Sequence, residues 1–239
     1  MDRSELHAML PAAFPPALGP AWTGAGVFLA EVSDLNDPEQ LARVQVRLHA
    51  ANGLADQDMP LWARLVATGA GDNRGSYWVP DVGDLVLVAF IQGDARLPVV
   101  LGGLWHGSAT PPQTMDGAGQ NNLKLLRSRN GVKVTLDDAS GQEQLILETP
   151  GGNKLTLKDG PGVCELVDSN GNSIKLETSG ITVTAAAKVT VNAATVEVSA
   201  GMVKVDAGMS NFSGVVKCDT LISNAVVSSS YTPGAGNIW

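Results

Sequence analysis

ITVTAAAKVTVNAATVEVSAGMVKVD, running from Ile181 to Asp206, holds a pair of apolar residues two positions apart that returns in almost even steps. The pairs are Ile181 with Val183, Val189 with Val191, Val196 with Val198 and Val203 with Val205, at steps of eight, seven and seven. A coiled-coil heptad places its second apolar position three or four residues after the first, whereas a spacing of two is the period of a β-strand. Thr, Val and Ile fill the units and Ala or Gly separates them, as in short strands joined by tight turns. Thr182, Lys188, Thr190, Glu197, Lys204 and Asp206 fall on the other side, so each strand has one face to bury and one wet face.

Such a unit does not stand alone. Ordering seven residues costs on the order of 7–14 kcal/mol of backbone entropy, and burying two valines returns about 3–6 kcal/mol. Stacked coils of one chain would give a solenoid, and three chains wrapped about an axis would give a trimeric needle. A single-chain solenoid needs two or three walls per coil, hence some 18 or more residues per repeat. The seven-residue step favours the trimer, with the eight residues of the four pairs as its expected core.

Composition fits a small domain with a fibrous extension. Of 239 residues 44% are hydrophobic but only 5% aromatic, so the apolar mass is mostly Val, Leu and Ala. A net charge of −8 disfavours nucleic acid and anionic membrane surfaces as partners. Cys164 and Cys218 lie far apart and in no metal-ligand spacing. The opening MDRSELHAMLPAAFPP lacks the apolar run of a signal peptide, and no later run reaches transmembrane length, which predicts synthesis and folding in a cytoplasm.

In chain order, residues 1–23 read as an N-terminal arm, with Pro11, Pro15, Pro16 and Pro20 barring a long helix. Residues 24–107 predict a small closed barrel, an OB-fold, from five strands at Gly26 to Val32, Arg43 to Leu48, Leu61 to Val66, Leu85 to Ile91 and Val99 to Leu104. Val44, Val46 and Leu48 alternate with Arg43, Gln45 and Arg47, and turn formers such as Asn52-Gly53 and Gly71-Asp72-Asn73 lie between strands. Pro80 precedes a strand, and the tight turn at Gly83 is expected to aim Leu85, Leu87 and Ala89 inward.

The run WVPDVGDLVLVAFIQGDARLPVVLGGLWHG, Trp78 to Gly107, closely resembles the OB domain of the central spike of contractile injection machines. The matching pieces are Pro80-Asp81-Val82-Gly83-Asp84, the Gly93-Asp94 turn and Arg96-Leu97-Pro98 leading into Val99-Val100-Leu101-Gly102, with Leu41 to Leu48 as the second strand. The family includes the baseplate assembly protein V of contractile-tailed phages, the spike of R-type pyocins and the valine-glycine repeat protein G of type VI secretion. The resemblance implies a structural, non-enzymatic homotrimer that pierces a target cell envelope when a sheath contracts, assembled in the baseplate of a phage virion or related particle. With only about 23 residues ahead of the barrel, it also implies that the baseplate hub is a separate protein. The linker 108–122 is too short for the lysozyme that some phage spikes insert, and His7, His49 and His106 all lie far from the C-terminus, so no iron-binding tip is expected.

Residues 123–227 read as the shaft, an intertwined trimeric β-helix. It starts with broader units, Asn130 to Leu136, Gly152 to Leu157 and Asn170 to Leu176, which echo one another at steps of 21 and 19. Roughly 13 to 15 strands stacked about 4.8 Å apart would make it on the order of 60–70 Å long. The tip, 228–239, ends on Ile238 and Trp239. Tyr231, Ile238 and Trp239 are the expected contacts for a cone-shaped cap protein of the Pro-Ala-Ala-Arg type, which the family resemblance suggests, or else a plug folded back on the needle.

Little chemistry stands out. Gly69-Ala70-Gly71 with Gly75 lacks the strand-to-helix setting of a dinucleotide loop. Asp137-Asp138 and Asp81 with Asp84 read as turn carboxylates, and Ser228 to Ser230 has no histidine near it in sequence. Trp62, Trp78 and Trp105 are expected in the barrel core or in contacts to the hub. No catalytic residue, cofactor or metal is predicted. The alternative reading is a trimeric tail fibre or depolymerase acting on surface polysaccharide; it needs paired acids and exposed aromatics, and Leu123 to Asn237 offers only Phe212 and Tyr231 as aromatics.

Overall fold

The structure, a computed structural model, describes residues 26–49 and 60–230. The expected arm, the Asn52-Gly53 turn and the tip residues Tyr231, Ile238 and Trp239 lie outside the described residues. The chain divides into two units, 1–186 and 187–239.

Five strands of the first unit close into a barrel: β1 (Val27–Asp34), β2 (Val44–Leu48), β3 (Leu61–Leu65), β6 (Leu85–Phe90) and β7 (Pro98–Gly103). Neighbours run antiparallel in the order β1-β2-β3-β7-β6, except that β3 meets β7 parallel, and β6 pairs back onto β1. The core is small and valine-rich. Ala30, Val32, Val44, Val46, Ala63, Val86 and Val88 are fully buried, Val100 and Phe90 nearly so, and Phe28 meets Phe90 edge-on at 5.4 Å. This is the all-β OB-type barrel that the strand pattern predicts.

The β6 strand corrects one expectation: Val86, Val88 and Phe90 point inward, and Leu85, Leu87 and Ala89 do not. The segment LVLVAF is apolar on both faces, so its periodicity carries no register. The choice falls to the turn before it, where Gly83 N–H donates to Val32 O at 2.8 Å and Val32 N–H donates to Asp84 O at 3.0 Å. A one-residue slip exchanges the two faces of a strand.

The β1–β2 loop is held by one carboxylate. Asp37 accepts from the Arg43 guanidinium at 2.6 Å and from the backbone N–H of Leu41 at 2.8 Å and Glu39 at 3.1 Å, with its side chain almost wholly covered. The Arg43 guanidinium, ahead of the backbone donors, holds the Asp37 carboxyl far below the usual carboxylate range. A two-stranded hairpin, β4 (Ala70–Gly71) with β5 (Arg74–Gly75), branches from the barrel where only a turn was expected.

From Leu123 the chain folds into one sheet of seven antiparallel strands in sequence order: β8 (Leu123–Arg127), β9 (Lys133–Asp137), β10 (Gln144–Glu148), β11 (Lys154–Lys158), β12 (Val163–Val167), β13 (Ser173–Glu177) and β14 (Gly180–Thr184). Each spans five residues, and alternate turns use one design. Ser128, Thr149 and Asp168 each accept, through a side-chain oxygen, the N–H four residues on, at 3.1, 3.3 and 2.8 Å. Three residues on stands Gly131, Gly152 or Gly171 at φ +91°, +92° or +87°, a left-handed backbone that favours glycine. These are the units that echo one another in the sequence. An ion pair from this sheet's first turn, Arg129 Nη1 to Asp81 Oδ1 at 2.7 Å, joins it to the barrel.

The second unit behaves differently. Strands are expected there from Val189 on, but among residues 187–230 no segment forms a ladder with another part of the chain. The backbone bends at Ala187, Ala194, Gly201 and Gly208, every seventh residue. It then bends at Ser213-Gly214, Asp219, Asn224 and Ser229, at closer steps. The apolar residues follow suit, with Val216, Leu221 and Val226 five apart, a tightening that the seven-residue reading did not anticipate. Strand segments that lack partners within a chain leave their backbone groups to be satisfied by water or by another chain.

Candidate trimerisation interface

The register of the seven-stranded sheet decides which side chains share a face. Because side chains alternate, residues paired across neighbouring strands line up in columns. One column runs Leu126, Val134, Leu147, Leu155, Leu166, Ile174, Val183 without a polar interruption. Two residues along each strand, on the same face, a second runs Leu136, Leu145, Leu157, Cys164, Leu176, Ile181, headed by Lys124. Seven strands about 4.8 Å apart make this stripe roughly 30 Å long and two side chains wide.

The opposite face is of another kind. Its middle column is Leu125, Thr135, Ile146, Thr156, Glu165, Lys175 and Thr182, flanked by mixed rows that carry Arg127, Lys133, Glu148 and Lys154 on one side and Asp137, Lys158 and Glu177 on the other. Lys133 pairs with Glu148 at 2.9 Å, and Lys175 with Glu177 at 2.7 Å. The Glu177 carboxyl is lowered by that contact with Lys175 and by the Ser179 hydroxyl. Thr135 is the one buried polar residue among the described residues, and its Oγ1 has no hydrogen-bond partner there.

The apolar stripe lacks a second layer within the chain. Leu166 is 50% exposed and Leu136 48%, although each sits between apolar neighbours in its column. A sheet that is apolar on one face must bury that face against another element. Three stripes this narrow can close around a common axis.

The predicted core residues divide between the units. Ile181 and Val183 lie on β14, opposite Leu176 and Ile174, and end the two columns. Val189, Val191, Val196, Val198, Val203 and Val205 belong to the second unit, where each remains between 61% and 70% exposed in the single chain. The sequence reading missed the eleven residues from Leu126 to Leu176 that head the stripe. Their signal was present: Val134/Leu136, Leu145/Leu147, Leu155/Leu157, Cys164/Leu166 and Ile174/Leu176 are the same two-apart pairs, at irregular steps because each strand here has its own turn.

The remaining candidates resolve as structure. Gly75 sits at φ +141°, where a Cβ would collide with the Gly69 carbonyl, so these glycines serve the β4–β5 hairpin. Asp137 accepts from Ala139 N–H and Gln144 Nε2 at 3.1 Å, and Asp84 from Asp81 N–H at 2.8 Å, as turn residues do. Ser228 Oγ donates to Ser230 O. Half-buried Trp62 lies under the Arg43 guanidinium, 5.8 Å from the ring centre. Trp78 and Trp105 are 65% and 70% exposed, which removes them from the barrel core and leaves the other expectation, a contact surface. The described residues hold no group of three or more His, Cys, Asp or Glu placed to bind a metal.

Comparison with known proteins bears on both the barrel and the sheet. Residues 28–105 match the type VI secretion system/phage-baseplate injector OB domain, and residues 144–209 match the phage baseplate V C-terminal trimerisation domain. The type VI secretion system spike protein VgrG1a of Pseudomonas aeruginosa is 28% identical over 113 residues, 44% of this chain and 18% of that protein. VgrG4b of the same organism is 31% identical over 111 residues, 44% of this chain and 14% of that protein. The actin cross-linking toxin VgrG1 of Vibrio cholerae is 28% identical over 86 residues, 35% of this chain and 8% of that protein. The chain spans less than a fifth of the length of each. With a closed OB barrel over the first match and a one-sided apolar sheet through the second, the chain belongs to the baseplate V family of injection-machine spike proteins.

Proposed function

We propose that three copies of the chain assemble through the apolar stripe into the central spike of a contractile injection machine, and that this spike pierces the target envelope when the sheath contracts. The observation that carries the proposal is the pair of apolar columns, one unbroken from β8 to β14 and the other from β9 to β14, a face with nothing to bury it in one chain. In the trimer the columns meet at the axis, the charged face turns to solvent, and the segments of 187–230 exchange backbone hydrogen bonds between chains as an intertwined β-helix. Stiffness is what a piercing element needs, and a sheet whose every strand is tied to the next and to two other chains resists bending and shear. The work comes from the sheath, so the spike itself carries no catalytic residue. The relative named as a toxin shares only 8% of its own length with this chain, and its activity is not carried over.

In this reading a separate hub protein receives the barrels, a Pro-Ala-Ala-Arg-type cap takes the tip through Tyr231, Ile238 and Trp239, and the assembly resides in the baseplate of a phage or related particle. Cryo-electron microscopy of the particle carrying an epitope-tagged copy tests it. The expected label sits on the tail axis beneath the baseplate. A label on peripheral fibres would replace the spike with a receptor-binding or depolymerase fibre.

A further inference from the structure

A cleft of about 1240 Å³ runs along the barrel where the first turn of the sheet approaches it, and among the residues that line it are Val66, Tyr77, Trp78, Trp105 and Leu126. Its aromatic walls are unusually bare: Tyr77 is 81% exposed, beside the exposed Trp78 and Trp105. Three aromatic side chains so exposed offer on the order of 500 Å², toward the upper end of the roughly 300–600 Å² of the largest apolar patch on a typical monomer. Patches of that kind mark contacts.

The position of the cleft identifies the occupant. Leu126 lines it and is also the first residue of the column that ends at Val183. The aromatic cleft therefore continues the apolar stripe past the end of the sheet. The Arg129–Asp81 pair beside it, at 2.7 Å, holds the β8–β9 turn against the segment that carries Trp78. A copy that packs on the stripe along β8 arrives at the mouth of this cleft without any further protein. We infer that a second copy of this chain fills the cleft, so that the trimer contact extends from the sheet onto the barrel, with Tyr77, Trp78 and Trp105 as its aromatic anchors. This rests on the trimeric reading proposed above. It assigns the three aromatics to contacts between copies and leaves the hub other faces of the barrel.

Hydroxyl-radical footprinting of the purified full chain, with no other protein present, tests the inference on native residues. The same sample is sized by sedimentation. In a trimeric sample the oxidation rates of Tyr77, Trp78 and Trp105 are expected to fall at least fivefold below the rates that their single-chain exposure implies, to about that of half-buried Trp62. A trimer in which all three react at the exposed rate would overturn the inference and leave the cleft for a different protein such as the hub, with the trimeric reading intact. A monomeric sample would overturn both. A variant adds a second readout: Trp105→Ser is expected to raise the trimer dissociation constant at least tenfold while Trp105→Phe stays within threefold of the native chain. Equal values for Ser and the native residue, in samples that keep the native far-ultraviolet spectrum, would also overturn it.

Discussion

Leu166→Ala isolates the stripe from the fold of the sheet. Leu166 lies near the middle of the first column, between Leu155 and Ile174, and is 50% exposed in the single chain. Fully burying a leucine is worth about 1.5–3 kcal/mol, so roughly half of that, about 0.8–1.5 kcal/mol per chain, must come from partner copies. Truncation at a fully buried site also leaves a cavity, and Leu→Ala there costs about 2–5 kcal/mol per chain. Three copies of the change near one axis would cost the trimer about 6–15 kcal/mol, with some relief if the three cavities collapse together. Glu165, the next residue, points to the opposite face and sits across from Lys175 and Thr156. An exposed cross-strand pair contributes about 0.2–1 kcal/mol, so Glu165→Ala is expected to change little. Equilibrium urea unfolding followed by sedimentation, at several protein concentrations, reads both. For the native chain the midpoint should rise with concentration, and Leu166→Ala should lower it strongly. Equal shifts for the two variants, or a midpoint independent of concentration, would refute the assignment of faces.

The second unit obeys the same logic: Val198→Lys is expected to cost the trimer several kcal/mol by bringing three charges to the axis, and Glu197→Lys should be nearly silent in the same unfolding assay. Acid should loosen the β12–β13 turn, because Asp168 is lowered from 3.8 to about 2 by the Asn172 side-chain amide and then by the Asn172 backbone N–H and Asn170. A depressed carboxylate contributes fully above its unfolded value and loses that contribution as pH falls toward 2. Amide protection at Asn170, Gly171 and Asn172, relative to the unstructured rate at the same pH, should therefore fall between pH 4 and 2, and in Asp168→Ala it should already be low at pH 6. Deleting Tyr231 to Trp239 is expected to leave the trimer intact and abolish cap binding in a pull-down with the cap protein; unchanged affinity would move the cap contact elsewhere.

What could be read in the residues follows from how local each cause is. The barrel strands were legible because Val44, Val46 and Leu48 alternate with the polar Arg43, Gln45 and Arg47 and because turn formers bound each run. The register of β6 was not, since LVLVAF is apolar at every position and hydrogen bonds between the Gly83-Asp84 turn and Val32 choose between its faces. Ile181 to Val205 announced the stripe through a constant step. Its upstream half hid behind turns of unequal length, although Gly131, Gly152 and Gly171 already marked every second turn. The exposed position of Trp78 and Trp105 had no sequence signature, because an aromatic at a barrel edge and one in its core look alike in a list of residues. The unpaired course of 187–230 agrees with the repeat's inability to stand alone: seven residues with two valines supply an edge, and another chain must supply the ladder.

Sedimentation equilibrium of the full chain, alone and at micromolar concentration, is the most direct test of the central claim. The stripe predicts a species of three chain masses, with a folded monomer absent down to the concentration at which the sheet itself unfolds. A monodisperse, folded monomer would show that the two apolar columns can stay in water, and the spike reading would fall with them.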